Sequence, residues 1–130
     1  MKDRSTAICV RDGRILLVAR ERSSQVTRWS LPGGKRTVSE TLAEACRREL
    51  MEETSINPLK LDYLFQFGGF AKRHYVFLAE LAPDEPARAS NEITACEWFT
   101  PRKIATLPAS IPTREIVALF IRRFAHPPLR

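Results

Sequence analysis

No apolar run in this chain approaches the roughly 18 residues of a membrane-spanning helix, so no membrane partner is expected. The opening Met1-Lys2-Asp3-Arg4 leads into a β-rich run without the apolar core of a secretory signal. Cysteine is scarce. Cys9, Cys46 and Cys96 are odd in number, far apart and set in apolar segments, with no metal-ligand spacing. Reduced core thiols and a cytoplasmic location follow as expectations. There is no internal repeat, low-complexity segment or linker, and residues 1–130 read as one domain. Despite a net charge of +6 there is no basic block and no basic motif interleaved with aromatics. No specific nucleic-acid partner is therefore expected. A polyphosphate ligand accounts for the excess charge, and so does ordinary solubility.

What is present is an alternation of β-rich and helical stretches. Thr6 to Val10 and Ile15 to Ala19 are apolar β runs around Asp12-Gly13, a strong hairpin signal. Their continuity predicts strands covered on both faces. A polar loop from Arg20 through Arg22 to Arg28 precedes a short strand, Trp29 to Leu31. Pro32-Gly33-Gly34 then reads as a turn whose glycines are free to take positive φ. After the central helix, Leu59 to Phe70 and His74 to Leu81 suggest a long hairpin. Phe65, Phe67 and Phe70 give it an aromatic face, suited to core packing or to stacking against a base; His74 and Tyr75 are equally ambiguous. Ala82 to Ser90 is an exposed loop, and Asn91 to Phe99 a strand. Thr100-Pro101 caps a short helix. Ser110 to Thr113 caps a last one, with Ile116, Val117, Phe120, Ile121 and Phe124 as its buried stripe and His126-Pro127-Pro128 as its end.

The central helix is the informative element. From Glu40 to Thr54 there is no Gly or Pro, and Ser39 is the expected N-cap. Leu42, Ala45 and Cys46 start an apolar stripe that continues through Glu49, Leu50 and Glu53, with Glu52 at its margin. Carboxylates thus take positions that face the protein, and they crowd the helix C-terminus, where the macrodipole disfavours them. Neighbouring like charges add a few tenths of a kcal/mol of repulsion per pair. A solvated acidic helix end would not need that register. A hard divalent cation, which prefers oxygen ligands, supplies the missing counter-charge.

Gly34, Glu40, Arg48, Glu49, Leu50, Glu52, Glu53 and Ile56 resemble, at matching spacing, the signature of the Nudix hydrolases, small MutT-like members included. One position departs. Ser55 stands where the family usually has the left-handed Gly that ends the helix, at a cost of about 1 kcal/mol or less. The resemblance implies an α/β fold, an α/β/α sandwich with a mixed β-sheet between helices. It also implies hydrolysis of a nucleoside diphosphate linked to another moiety, by water attack on phosphorus.

In that reading Glu49, Glu52 and Glu53, with the Gly33 carbonyl, hold Mg²⁺ or Mn²⁺, which offsets charge on the phosphoryl oxygens. Arg48 orients a carboxylate, Glu52 or a neighbour; Gly34 and Glu40 are structural parts of the motif. The general base is Glu53 or Glu92, with Glu97 behind Glu92 as a further carboxylate. Arg20, Arg28 and Lys35 are the candidate phosphate-steering residues, with Arg22 and Arg36 beside them, and Phe67 is the candidate stacking residue. The expected partner is a nucleotide-type small molecule. Monomer and homodimer both remain open.

Substrate choice is less well marked. No proline stands at Ala71 or Lys72, where ADP-ribose enzymes of the family usually carry one. Tyr75 is not convincingly the tyrosine of dinucleoside polyphosphate enzymes, and Leu16 to Arg20 is too common a pattern to signal coenzyme A. The lean is to (d)NTPs, damaged ones included. ADP-ribose, nucleotide sugars and dinucleoside polyphosphates are alternatives, as is a catalytically silent module that binds nucleotide or RNA. Loss of signature glutamates would mark the silent module, and here all three are kept.

Overall fold

The computed structural model describes residues 2–20 and 27–124. Expectations for Arg22 and for His126 to Pro128 lie outside these. Strand β1 (Lys2–Arg11) turns through Asp12 and Gly13, both at positive φ, into β2 (Arg14–Arg20), as the Asp-Gly pair predicts. Short strands β3 (Trp29–Ser30) and β4 (Gly33–Lys35) lead to helix α1 (Leu42–Thr54). The hairpin β5 (Lys60–Gly68) and β6 (Lys72–Glu80) follows, then β7 (Ile93–Phe99), α2 (Pro101–Ile104) and α3 (Ile111–Phe124).

The sheet is mixed. β1 runs parallel to β6 over eight registered pairs, from Lys2–Lys72 to Cys9–Ala79, and the other strand-to-strand pairings among the described residues are antiparallel. Alternation along β1 sends Ala7 and Cys9 to one face and Ile8 to the other. The first face packs with Leu16, Phe77 and Ala79 under Cys46 and Leu50 of α1. The second packs with Ile15, Leu17 and Val76 under Ile104 of α2 and Ile116, Val117 and Phe120 of α3. Two apolar layers with helices outside them make the α/β/α sandwich.

The other edge of β1 is divided. Its C-terminal end pairs with β2 at Val10 and Arg11, and its N-terminal end pairs with β4 from Arg4 to Thr6. Gly33 opens β4 at this divided edge.

Several local expectations are corrected. Gly33-Gly34 is strand, not turn, because its backbone pairs with Ser5 and Thr6. Only Gly33 takes positive φ. The N-cap of α1 is Thr41, not Ser39. Thr41 and Glu44 form a capping box, each side chain satisfying the other's backbone N–H, whereas the residue three beyond Ser39 is Leu42. A register shift between Tyr63 and Phe65 interrupts β5. Phe65 is buried, Phe67 half-buried, and Phe70 sits fully exposed in the turn, so the three do not form one wall. Glu92 lies in the turn before β7, which starts at Ile93. The short helix α2 ends at Ile104, with Thr100 accepting from the Lys103 N–H.

All three cysteines are free thiols. Burial pushes the Cys46 thiol up to about 12, and Cys9 further still. Among the described residues no helix is long and apolar enough to cross a membrane.

Candidate active site

The site is assembled where the C-terminal turn of α1 meets the divided edge of β1. Glu53 is the pivot, its side chain only 1% exposed. One oxygen accepts from the Gly33 N–H at 3.0 Å, and the other pairs with Arg20. The Gly33 carbonyl in turn accepts from Arg4 Nη2 at 3.3 Å and Arg20 Nη2 at 3.4 Å. Burial pushes the Glu53 carboxyl up to about 7, against the pull of Arg20 and the Gly33 amide. Glu49 is also shifted upward, by burial first, with Glu52 adding to it against the pull of Arg48.

The paired glycines make room for this arrangement. A Cβ on Gly34 would stand 1.3 Å from Glu49 Oε2, and one on Gly33 would stand 2.2 Å from the Ser5 carbonyl oxygen. Gly34 thus seats a carboxylate, while Gly33 seats a neighbouring strand.

Arg48 joins the two ends of the motif. It makes a forked contact with Glu40, Nε to Oε2 at 2.6 Å and Nη2 to Oε1 at 2.9 Å. Contacts to Glu49 at 3.2 Å and Glu52 at 3.4 Å are longer. The guanidinium holds the Glu40 carboxyl down at about 2. The i, i+4 spacing pointed to Glu52 or a neighbour, but the fork goes to Glu40, which lies just before the helix and reaches both guanidinium edges.

Glu52 is 48% exposed, and Glu92 is 64% exposed and 3.9 Å from Arg20 Nε. Glu97 is exposed and pairs with Leu17, as the fifth residue of β7 beyond the turn that carries Glu92. Lys35 is exposed, and its carbonyl accepts from Arg48. Arg36 lies 4.0 Å from Asp3. Arg28 and Phe67 are brought together in another cavity, described below.

Sequence reasoning missed the clamp on the acidic helix end. No basic residue occupies the last turn of α1. Its terminal carbonyls are taken instead by the segment before β7: Ser90 Oγ and Asn91 Nδ2 donate to Glu52 O, Ser90 N to Glu53 O, and Arg88 N to Thr54 O. That satisfies the orphan carbonyls of a helix terminus without a cation. Ser55 takes the left-handed conformation, φ 65°, with its N–H on Met51 O and its hydroxyl on Arg88 O.

On the α3 face of the same edge is a cleft of about 350 Å³, lined by Arg4, Thr6, Arg20, Lys72, His74 and the start of α3. A second cavity, of about 540 Å³, shares Ser110 and Pro112 with it and is walled by Arg28, Phe67, Gly69, Phe70 and Ile111. Phe70 and Ile111 are large apolar side chains left exposed at its rim. Arg4 and Lys72 had no sequence signal of their own. Parallel pairing of β1 with β6 brings them together.

For a metal, the available donors are the carboxylates of Glu49, Glu52 and Glu53 and the Gly33 carbonyl, all hard oxygens of the kind Mg²⁺ and Mn²⁺ take. Among the described residues no three acidic, His or Cys side chains converge on one point. Arg20 and Arg48 compensate these carboxylates. The donor set fits such an ion chemically: Glu49 and Glu53 are raised partly by their acidic neighbours, so a cation beside them would relieve that repulsion.

Comparison with known proteins agrees with this geometry. The NUDIX domain model matches residues 1–120. An oxidized purine nucleoside triphosphate hydrolase of Danio rerio is 33% identical over 103 residues, covering 75% of this chain and 65% of the relative. The chain therefore spans just under two thirds of that curated relative. A MutT NUDIX hydrolase from Burkholderia pseudomallei superposes with a TM-score of 0.76 at 28% identity, covering 90% of this chain and 95% of that one. The ORF135 protein of E. coli gives 0.70 at 30% identity, covering 96% and 94%. The match to the family model over most of the chain, together with these superpositions, identifies the protein as a member of the NUDIX family.

Proposed function

We propose that this chain is a pyrophosphohydrolase that splits a nucleoside diphosphate linked to another moiety, with nucleoside triphosphates, damaged ones included, as the preferred class. The observation that carries the reading is Glu53: a buried carboxylate beside Glu49, in contact with the Gly33 amide and paired with Arg20, which lines a cationic cleft. The name of the Danio rerio relative supports the triphosphate lean.

Each part of the site has a task in this reading. The guanidinium groups of Arg4 and Arg20 and the Lys72 ammonium attract the phosphate chain and hold it across the divided edge. Glu49, Glu52 and Glu53, with the Gly33 carbonyl, would hold Mg²⁺ or Mn²⁺. When bound, such an ion offsets the negative charge that builds on the phosphoryl oxygens. A general base works best with a pKa near the working pH; before an ion binds, burial holds Glu53 at about 7, and a cation held by the same carboxylate would draw it down from there. Glu92, across Arg20, is the second choice. Arg48 fixes the orientation of Glu40 and Glu49 without touching substrate. The uncharged end of the substrate then extends into the cavity walled by Phe67, Phe70 and Ile111, with Arg28 at its rim.

The test is product release across (d)NTPs, oxidised dGTP, ADP-ribose, nucleotide sugars and dinucleoside polyphosphates, with Mg²⁺ or Mn²⁺ and with chelator. Turnover that needs metal and falls by about 10²–10⁴-fold in Glu53→Gln is the expected result. An unaltered rate in Glu53→Gln moves the base to Glu92. No turnover on any substrate, with no metal-dependent rise in melting temperature, overturns the hydrolase reading in favour of a binding module.

A further inference from the structure

His74 belongs to neither the acidic helix nor the phosphate-steering cations, yet it lies in the wall of their cleft. It is 8% exposed, and its Nδ1 lies 3.0 Å from Thr6 Oγ1. Its Nε2 is buried and, among the described residues, has no hydrogen-bond partner. A buried polar nitrogen without a partner is uncommon and calls for a reason. Nε2 looks toward the β5–β6 turn, where a carbon placed on Gly69 would stand 4.0 Å away. Gly69 lines the Phe67 cavity and His74 lines the cationic cleft. The unpaired nitrogen therefore sits at the seam between the two.

Chemistry narrows what would satisfy it. Burial, and then Arg4 and Lys72, lower the His74 pKa to about 4, so the ring is neutral at ordinary pH. A neutral imidazole donates from one nitrogen and accepts at the other. The Thr6 hydroxyl can donate to Nδ1 or accept from it. When it donates, Nε2 carries the proton and is a donor; when it accepts, Nε2 is an acceptor. The pair can therefore meet either a ring N–H or a ring nitrogen lone pair, but it has nothing to offer an edge of C–H.

We propose that His74, backed by a Thr6 hydroxyl that suits either tautomer, is a specificity-determining residue that demands a hydrogen-bonding ring nitrogen, donor or acceptor, on an uncharged heterocycle joined to the phosphate chain. This rests on the nucleotide reading above and adds to it a requirement on the base. Sites built to pair a polar group reject the analogue that lacks it far more strongly than apolar pockets reject a changed shape.

The experiment compares wild type, His74→Leu, His74→Gln and Thr6→Val on nucleoside triphosphates and on analogues in which single ring nitrogens are replaced by C–H. One replacement is expected to cost wild type about tenfold or more in kcat/KM, mostly in KM, and to cost His74→Leu less than about twofold. Thr6→Val should lose part of the discrimination, and it serves as the second variant should His74→Leu not fold. The imidazole ¹⁵N resonances of wild type give a readout independent of turnover. The Nε2 signal should move when the intact nucleotide is added and stay when the matching analogue is added. Equal penalties in wild type and His74→Leu, or an Nε2 signal indifferent to every nucleotide, overturn the proposal. Turnover without a His74 response removes this inference alone. A His74 response without turnover keeps it and removes the hydrolase reading.

Discussion

Glu53 and His74 lie on either side of the same sheet edge, and both are buried ionisable groups. Burial is the largest influence on each, and it penalises whichever form is charged: the acid is pushed up to about 7, the imidazole down to about 4. The difference is in their partners. Glu53 is met by Arg20 and the Gly33 amide, while among the described residues His74 is met only at Nδ1. The α1 side of the edge is compensated from within the protein. On the α3 side one valence is left unfilled among the described residues. A site that must hold charge during a reaction is expected to be of the first kind, and a site that must recognise a ligand of the second.

The two glycines at this edge give the sharpest way to separate structural need from chemical need. At Gly33 an added Cβ meets backbone, the Ser5 carbonyl oxygen at 2.2 Å, and φ is 154°. Neither strand can yield, so Gly33→Ala should destabilise the fold by about 3 kcal/mol or more, measured by urea unfolding. At Gly34 the three atoms nearest the added carbon all belong to the Glu49 side chain, which can swing away. Gly34→Ala should therefore keep most of its stability while activity falls by about 10²-fold, because a displaced carboxylate no longer sits beside Glu53. If both variants unfold alike, the edge is one rigid unit and the separation is wrong.

The opposed titrations give a second, smaller contrast. Glu53 has an ordinary value near 4.5 and a folded value near 7, so the folded state binds more protons between them and stability falls as pH rises through that window. His74 has an ordinary value near 6.5 and a folded value near 4, so the unfolded state binds more protons and stability rises with pH through its window. Each contributes on the order of 3 kcal/mol. Between pH 4.5 and 6.5 they should largely cancel in wild type. Without metal, Glu53→Gln should leave a stability that climbs with pH, and His74→Leu one that declines. Unfolding curves at half-unit pH steps check this. Parallel profiles for all three proteins would mean that neither group carries its shift.

Much of the acidic side was legible in the chain. Helical register alone brought Glu49, Leu50 and Glu53 onto the inward face, and the spacing of Gly34 and Glu40 from them marked the turn of helix that matters. Asp12-Gly13 gave its hairpin because a two-residue turn is a local event. Other features escaped for equally physical reasons. Gly33-Gly34 reads as a turn because glycine signals flexibility in sequence, whereas here it signals close approach. Phe70 fell off the aromatic face because β5 ends at Gly68 and Phe70 lies in the turn beyond it, a strand end that a simple alternation count does not show. The His74 side depends on β1 lying parallel to β6, so that Arg4 pairs with His74 across the chain. Parallel pairing has no tight turn to announce it. His74 could be flagged as ambiguous, but its partner Thr6 could not be found without the fold.

Ser55 allows the smallest and cleanest comparison, between backbone strain and a side-chain tether. Its φ of 65° is the left-handed conformation that disfavours a side chain, so glycine should relieve up to about 1 kcal/mol. Against this, Ser55→Gly deletes the hydroxyl bond to Arg88 O at 3.2 Å, exposed and so worth a few tenths of a kcal/mol, and it loosens the unfolded chain. Arg88 N still holds Thr54 O at 2.8 Å, so the clamp on the helix end survives the change. The net expectation is a gain of about 0.5 kcal/mol, or a few degrees in Tm, with activity unchanged, because Ser55 touches neither carboxylate nor cleft. A loss of stability would reverse the ranking: the Ser55–Arg88 contact would then outweigh the strain, and the segment that caps the acidic helix would be held as much by this serine as by Ser90 and Asn91.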